Sequence, residues 1–175
     1  MIELESERLF IREMTADDLE KVLPVYLSNP DFLQQMEGSE GEAGRYDLQR
    51  WQRDWHIAQI MPGRHTLACY LKETGEAVGY IEFLEEHDDG APWIGVLTIH
   101  SAHQRQGLGT EAFQRLIAHF REEYGWPLIR VGVLEQNGAG LGFAQHLGFQ
   151  PLRRLTSRMS GGVQQFIVFE RSLKG

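Results

Sequence analysis

Several things are scarce in this chain, and each scarcity excludes a class of protein. One cysteine, Cys69, occurs in 175 residues. A lone thiol closes no intrachain disulfide, and no Cys/His cluster has zinc spacing, so no metal is expected. Positive charge is short: 17 Lys and Arg stand against 25 Asp and Glu, a formal net charge of -8. Duplex binding needs clustered basic residues to displace counterions, so no nucleic-acid partner is expected. No run approaches the ~20 apolar residues that span a bilayer. The opening residues Glu3, Glu5 and Glu7 put acids where a signal peptide needs a basic region. These absences point to a soluble, cytoplasmic protein with no membrane partner.

What remains is ordinary globular composition, 42% hydrophobic and 24% charged. A chain of this length reads as a single domain, 1–175, able to bury roughly 70% of its unfolded surface. The acidic balance suits a cationic small-molecule partner, although acidic surfaces also simply favour solubility.

The periodicities alternate between two and 3.6. Arg8 to Arg12 reads as a strand, and Thr15 offers an N-cap with Asp17 and Asp18 in the first turn. Leu19, Val22, Leu23 and Tyr26 then follow at helical spacing, with Pro24 expected to kink the helix and Ser28-Asn29-Pro30 to end it. Met36 to Gly44 has turn composition. Leu48, Trp51, Trp55 and Ala58 mark a second helix. Strands follow at 65–71, 77–84 and 93–99, then a long helix from Leu108, a strand at 128–134, and a glycine-interrupted helix ending at Gly148. Two strands, 150–160 and 163–171, close the chain through a Gly161-Gly162 turn. That order is α/β with a mixed sheet.

The chemically informative stretch is Gln104-Arg105-Gln106-Gly107-Leu108-Gly109-Thr110, between a strand and a helix. Two glycines one residue apart permit a tight turn that gathers backbone N–H groups at a helix amino end, an anion site suited to a pyrophosphate. The same glycines serve ordinary strand-to-helix turns equally well. The segment lacks the third glycine of a dinucleotide fingerprint and the Gly-Lys-Ser/Thr of a Walker loop.

Gln104, Gly107 and Gly109 fill the Gln/Arg-x-x-Gly-x-Gly/Ala pattern, and the segment resembles the coenzyme A-binding motif of the GCN5-related N-acetyltransferase (GNAT) superfamily. Two further stretches look like the same family: Asn137 followed by Leu147-Gly148-Phe149, and Arg8-Leu9-x-Ile11-Arg12 followed by Thr15 and Asp18. The resemblance implies a mixed, mostly antiparallel sheet of about seven strands flanked by about four helices, splayed at strands 4 and 5. It implies acetyl-CoA as acyl donor and a primary amine as acceptor, on a small cationic molecule or a protein N-terminus. The cofactor arm would pair with Leu97, Thr98 and Ile99; the pyrophosphate would rest on Gln104, Arg105, Gln106, Gly107, Leu108, Gly109 and Thr110. Asn137 would bond the pantetheine, with Phe143 packed beside it. A monomer or homodimer is expected.

Two family positions depart from the pattern: Ala144 stands where many members have an acidic tyrosine, and Trp93 where some have a general-base glutamate. Glu82 on a central strand, Glu135 past the end of another, and Tyr80 are the substitutes, each with a structural alternative; His100 and His103 flank the loop as surface residues or participants. The acceptor side would draw on Trp51, Trp93 and Glu37, with Glu40, Glu42 and Asp54 nearby, since aromatic and acidic groups attract a protonated amine. The departures also leave room for a non-catalytic acyl-CoA-binding module, or for a transferase of another acyl group.

Overall fold

The computed structural model describes residues 1–37, 46–159 and 162–175. Among them, eight strands form one sheet: β1 (Glu3–Glu5), β2 (Leu9–Glu13), β3 (Arg64–Leu71), β4 (Ala77–Leu84), β5 (Trp93–Ile99), β6 (Leu128–Leu134), β7 (Gln150–Met159) and β8 (Gly162–Ser172). Their spatial order is β1-β2-β3-β4-β5-β6-β8-β7. Every neighbouring pair is antiparallel except β5 and β6. Five α-helices accompany the sheet in the described residues: α1 (Leu19–Leu27), α2 (Pro30–Glu37), α3 (Leu48–Ile60), α4 (Leu108–His119) and α5 (Gly138–His146).

The two sheet faces carry separate cores. On one, Ala112, Phe113, Leu116 and Ile117 of α4 pack with Ile11, Leu67, Ile81, Phe83 and Ile129 of the strands, all buried. On the other, Val22, Val25 and Tyr26 of α1 and Trp51 of α3 cover Ala68 and Tyr80. The helical spacing of the first set and the strand alternation of the second are what the sequence displays.

The expectations of seven strands and four helices fall one short in each case. β1 has three residues, all paired with β2, too few to show a period. α2 begins at Pro30, where a proline starts a helix as well as it stops one, and buries only Leu33. Pro24 lies inside α1 without breaking it. Its ring occupies the exposed side, while Val22, Val25 and Tyr26 hold the inner face. The turn residues Ser160 and Gly161, and Glu40 and Glu42, lie outside the described residues.

Two bulges matter for the site. Cys69 pairs with Gly79 and Tyr70 with Ala77, so Val78 is the extra residue and turns to the α4 face. Glu82 therefore shares its face with Tyr80 and Leu84 but not with Val78. In the next ladder Glu82 pairs with Val96 and Phe83 with Ile94, leaving Gly95 as the bulged residue of β5.

Candidate active site

The parallel ladder between β5 and β6 has only two residue pairs, Trp93 with Arg130 and Ile94 with Val131. Beyond it, starting at the Gly95 bulge, the strands diverge. β5 keeps its pairing to β4 up to Ile99, while β6 keeps its pairing to β8 up to Leu134. The sheet is thus split from the middle of β5 outward. Gly95 is exposed and Val96, Leu97 and Thr98 are half-buried, unusual for the centre of a sheet.

Which groups face the split follows from alternation. The His100 N–H donates to Val78 O, and the register pairs Thr98 with Tyr80. Thr98 therefore turns its peptide groups to β4, while Leu97 and Ile99 turn theirs to the gap. This corrects the expectation for Thr98, whose hydroxyl is also engaged, accepting from Asn29 Nδ2 at 3.0 Å. The Ile99 carbonyl accepts from Gln104 Nε2 at 2.9 Å. Leu97 remains with both peptide groups toward the gap, and Ile99 with its N–H.

At the open end of the split stands the amino end of α4. Gly107 is left-handed at φ 81 and supplies no side chain to cap the helix. The first intrahelical bond runs from Glu111 N to Gly107 O, so the N–H groups of Leu108, Gly109 and Thr110 have no carbonyl within the helix. Arg105 is also left-handed, at φ 60, strain that a side-chain-bearing residue rarely accepts away from a functional turn. The two loop glycines have different tasks. A Cβ on Gly109 would lie 3.1 Å from Phe143 Cζ, so this glycine lets α4 approach α5.

Two residues of the loop's support escaped the sequence reading. Arg8 donates from Nη1 to Gln106 O at 2.9 Å and pairs through Nε with Glu111 Oε2 at 2.7 Å. Burial would push the Glu111 carboxyl up, yet the Arg8 amide, the Ser6 hydroxyl and the Arg8 guanidinium hold it down. Asn29, before α2, accepts from Gln104 Nε2 at 2.8 Å. Gln104 is exposed, but its amide is engaged by Asn29 and the Ile99 carbonyl and ties the loop to α2. In the sequence Arg8 belongs to a first-strand pattern and Asn29 to a helix stop, with no sign of the loop they support; their partners are about 75 to 103 residues away.

Asn137 caps α5, its Oδ1 accepting from Gly140 N at 2.9 Å. Of the three glycines in α5, only Gly140 is crowded: a Cβ there would meet Asn137 Nδ2 at 2.5 Å and Val133 Cγ1 at 2.9 Å. Gly138 and Gly142 face open space.

The substitute acid–base groups separate clearly. Glu82 sits over the bulge: a Cβ on Gly95 would lie 3.1 Å from Glu82 Oε1. Its carboxylate accepts from Arg64 Nη2 at 2.6 Å and from the Tyr80 hydroxyl at 3.1 Å. Tyr80 is buried and, by burial and the Glu82 charge, raised well above its usual pKa. It is a weaker acid than a thiol, and its proton is already directed at Glu82, so it orients that carboxylate instead of serving as an acid. Glu135 accepts from the exposed Arg154. Ala144 is buried and has no proton to give. His100 caps the turn after β5 through Nδ1, and His103 pairs with Glu76.

The acceptor-side expectations change most. Trp51 is 4% exposed, stacked on Tyr26, with its indole N–H donated to Leu19 O; it is core. Glu37 accepts from Tyr26 and Arg50 at 2.7 and 2.9 Å, so its charge is matched. Asp54 accepts from Tyr46. Trp93 is buried at the closed end of the split, stacked on His87 and donating to Asp89. Asp89 also receives Arg130 and Arg153, which clamps that end shut.

The family model of the acetyltransferase (GNAT) domain matches residues 8–150 of the chain. The chain belongs to the GNAT acetyltransferases. Among GNAT structures, an acetyltransferase from Bacillus anthracis superposes with a TM-score of 0.79 at 15% identity, covering 99% of this chain and 100% of the other. An acetyl transferase from Salmonella typhimurium, which modifies the N-terminal serine of a 50S ribosomal subunit protein, gives 0.75 at 16% identity over 97% of both chains. A curated relative, the spermine/spermidine N(1)-acetyltransferase of Bacillus subtilis, is 29% identical over 82 residues, 43% of this chain. This chain spans about half, 54%, of that relative's length. No described helix of this GNAT protein is long and apolar enough to cross a membrane.

Proposed function

We propose that the chain transfers an acetyl group from acetyl-CoA to a primary amine. The observation that carries this reading is the split sheet, with the Leu97 edge open beside the uncapped amino end of α4. An extended amide-bearing chain fits the first and a diphosphate the second, so the residues present suit the donor. Gly107, Leu108, Gly109 and Thr110 would hold the diphosphate, with Arg105 and Gln106 adding to the turn. Leu97 and Ile99 would bond the pantetheine amides, while Asn137 and Phe143 would form the opposite wall.

Acetyl-CoA, when bound, supplies an activated thioester carbonyl. The chain's own work is to align and to move a proton. The outward N–H of Leu97, next to the bulge, is a fixed donor for a carbonyl oxygen, an arrangement that needs no reorganisation during reaction. Glu82, over Gly95 on the acceptor face, accepts the proton of the incoming ammonium, directly or through water. Arg64 and Tyr80 hold that carboxylate in place. Proximity supplies much of the remaining acceleration.

The buried Ala144 and Trp93 favour a second reading, a module that binds acyl-CoA without turnover. Calorimetry with acetyl-CoA and a free-thiol assay with a panel of amines separate the two. Binding with amine-dependent thiol release supports transfer. Binding with no release selects the module, and no binding by the native protein removes both.

A further inference from the structure

A cleft of about 570 Å³ lies between α2 and the turn joining β6 to α5. Its walls include Asp31, Gln34 and Gln35 on one side and Gln136, Asn137 and Gln164 on the other. It shares Asn137 with the wall proposed above for the pantetheine arm. Gln164 Nε2 donates to Gln35 O at 3.4 Å and ties β8 to α2 along one border.

The chemistry of this lining is unusual for a polyamine site. Five of the eight lining residues carry side-chain amides, groups with both donors and an acceptor, and one carries a carboxylate; Asn137 spends its acceptor on Gly140 N and Gln164 one donor on Gln35 O. A polyamine presents several ammonium groups and no acceptor, so it needs several unmatched acids. Among the described residues, the acids around the acceptor face are already matched: Glu37 by Arg50, Glu82 by Arg64 and Glu135 by Arg154. Among the described lining residues Asp31 is the one carboxylate, with room for one positive charge. A peptide group, by contrast, presents one N–H and one C=O, which is what a side-chain amide pairs with at both ends.

Resting on the transfer reading above, we infer that the acceptor is the free Nα terminus of a polypeptide. Its first peptide groups run through this cleft against Gln35, Gln136 and Gln164, and its single positive charge is drawn in by Asp31. Recognition is therefore of backbone more than of side chain, and a free amino acid or a polyamine leaves most of the amide wall unpaired. Such a site discriminates strongly against compounds that lack the matching groups.

The test compares thiol release from acetyl-CoA with four amines: tetrapeptides having a free N-terminal serine or alanine, the same tetrapeptides Nα-blocked but carrying an internal lysine, serine amide, and spermidine. The inference expects kcat/KM for the free tetrapeptides to exceed that for serine amide and spermidine by about a hundredfold, with nothing from the blocked peptides. Gln164→Leu and Gln136→Ala should each raise the tetrapeptide KM about five- to tenfold, with acetyl-CoA affinity by calorimetry unchanged. Preference for spermidine, equal rates with serine amide, or an unmoved tetrapeptide KM in both variants overturns it. Failure of acetyl-CoA to bind the native protein is a different result, and removes the transfer reading itself.

Discussion

Replacing Glu82 by Gln isolates charge from shape. In the native protein its carboxylate takes Arg64 Nη2 at 2.6 Å and the Tyr80 hydroxyl at 3.1 Å. The amide keeps one acceptor for Arg64 and turns a donor toward Tyr80, whose hydroxyl can rotate to accept. The bond count survives, and the charge does not. The Arg64 and Glu82 side chains are 28% and 12% exposed, so solvent screens part of the loss, and a charged hydrogen bond of this kind is worth about 1–2 kcal/mol. For a domain of this size that lowers Tm by about 2–8 °C. Loss of a general base costs far more in rate, about 10²–10⁴ in kcat, or about 3–5 kcal/mol of barrier. The assay is steady-state thiol release at saturating acetyl-CoA and peptide, beside thermal unfolding and calorimetry of acetyl-CoA. The expected result is a kcat lower by at least a hundredfold, a modest fall in Tm and an unchanged acetyl-CoA affinity. A kcat within threefold of native, with the Tm still reduced, refutes the reasoning and leaves Glu82 as a tie between β3 and β4.

Gly107→Val forces an L side chain into φ 81, a strain of about 1–2 kcal/mol, and unseats the α4 amino end; acetyl-CoA affinity by calorimetry should fall at least tenfold while circular dichroism stays native. Asn29→Ala removes the acceptor of Gln104, and loss of about 1 kcal/mol of hydrogen bonding predicts roughly fivefold weaker acetyl-CoA binding. An unchanged dissociation constant would show that Gln104 holds the loop by itself. Asp18 is fully buried; burial alone would push its carboxyl up, but Arg12, the Thr15 amide and Tyr70 hold it down at about 2, below its ordinary 3.8. A depressed folded pKa stabilises above the unfolded value and loses that contribution as pH falls, so about 2 kcal/mol should disappear between pH 4 and pH 2. Asp18→Asn should flatten that part of the stability profile in urea titrations.

Strand limits were largely legible because this sheet is built from local alternation. The segments 77–84, 93–99 and 128–134 are strands with those bounds. The Gln104 to Thr110 turn was legible as well, because its glycines and the apolar stripe of α4 adjoin in sequence. Neither bulge was. A bulge is a mismatch between two strands, and Gly95 reads as an ordinary strand glycine until its pairing with β4 is known. Glu37 and Trp51 looked like recognition groups since the chain alone does not show Arg50 and Tyr26 packed against them. The charge free at Glu37 was thus overestimated, while the amide-bearing residues Gln35, Gln136 and Gln164, far apart in sequence, gave no joint signal.

An exposed strand margin inside a sheet is ordinarily a hazard, because it invites another molecule's strand to join. Here β5 and β6 meet at normal ladder spacing, about 4.8 Å, at Ile94 and part only beyond it. A foreign strand sliding inward along β5 meets β6 before it gains a full set of bonds. The wedge therefore admits a slim, tapering guest and turns away a sheet, so the protein keeps a sticky edge available without becoming a template for its own aggregation.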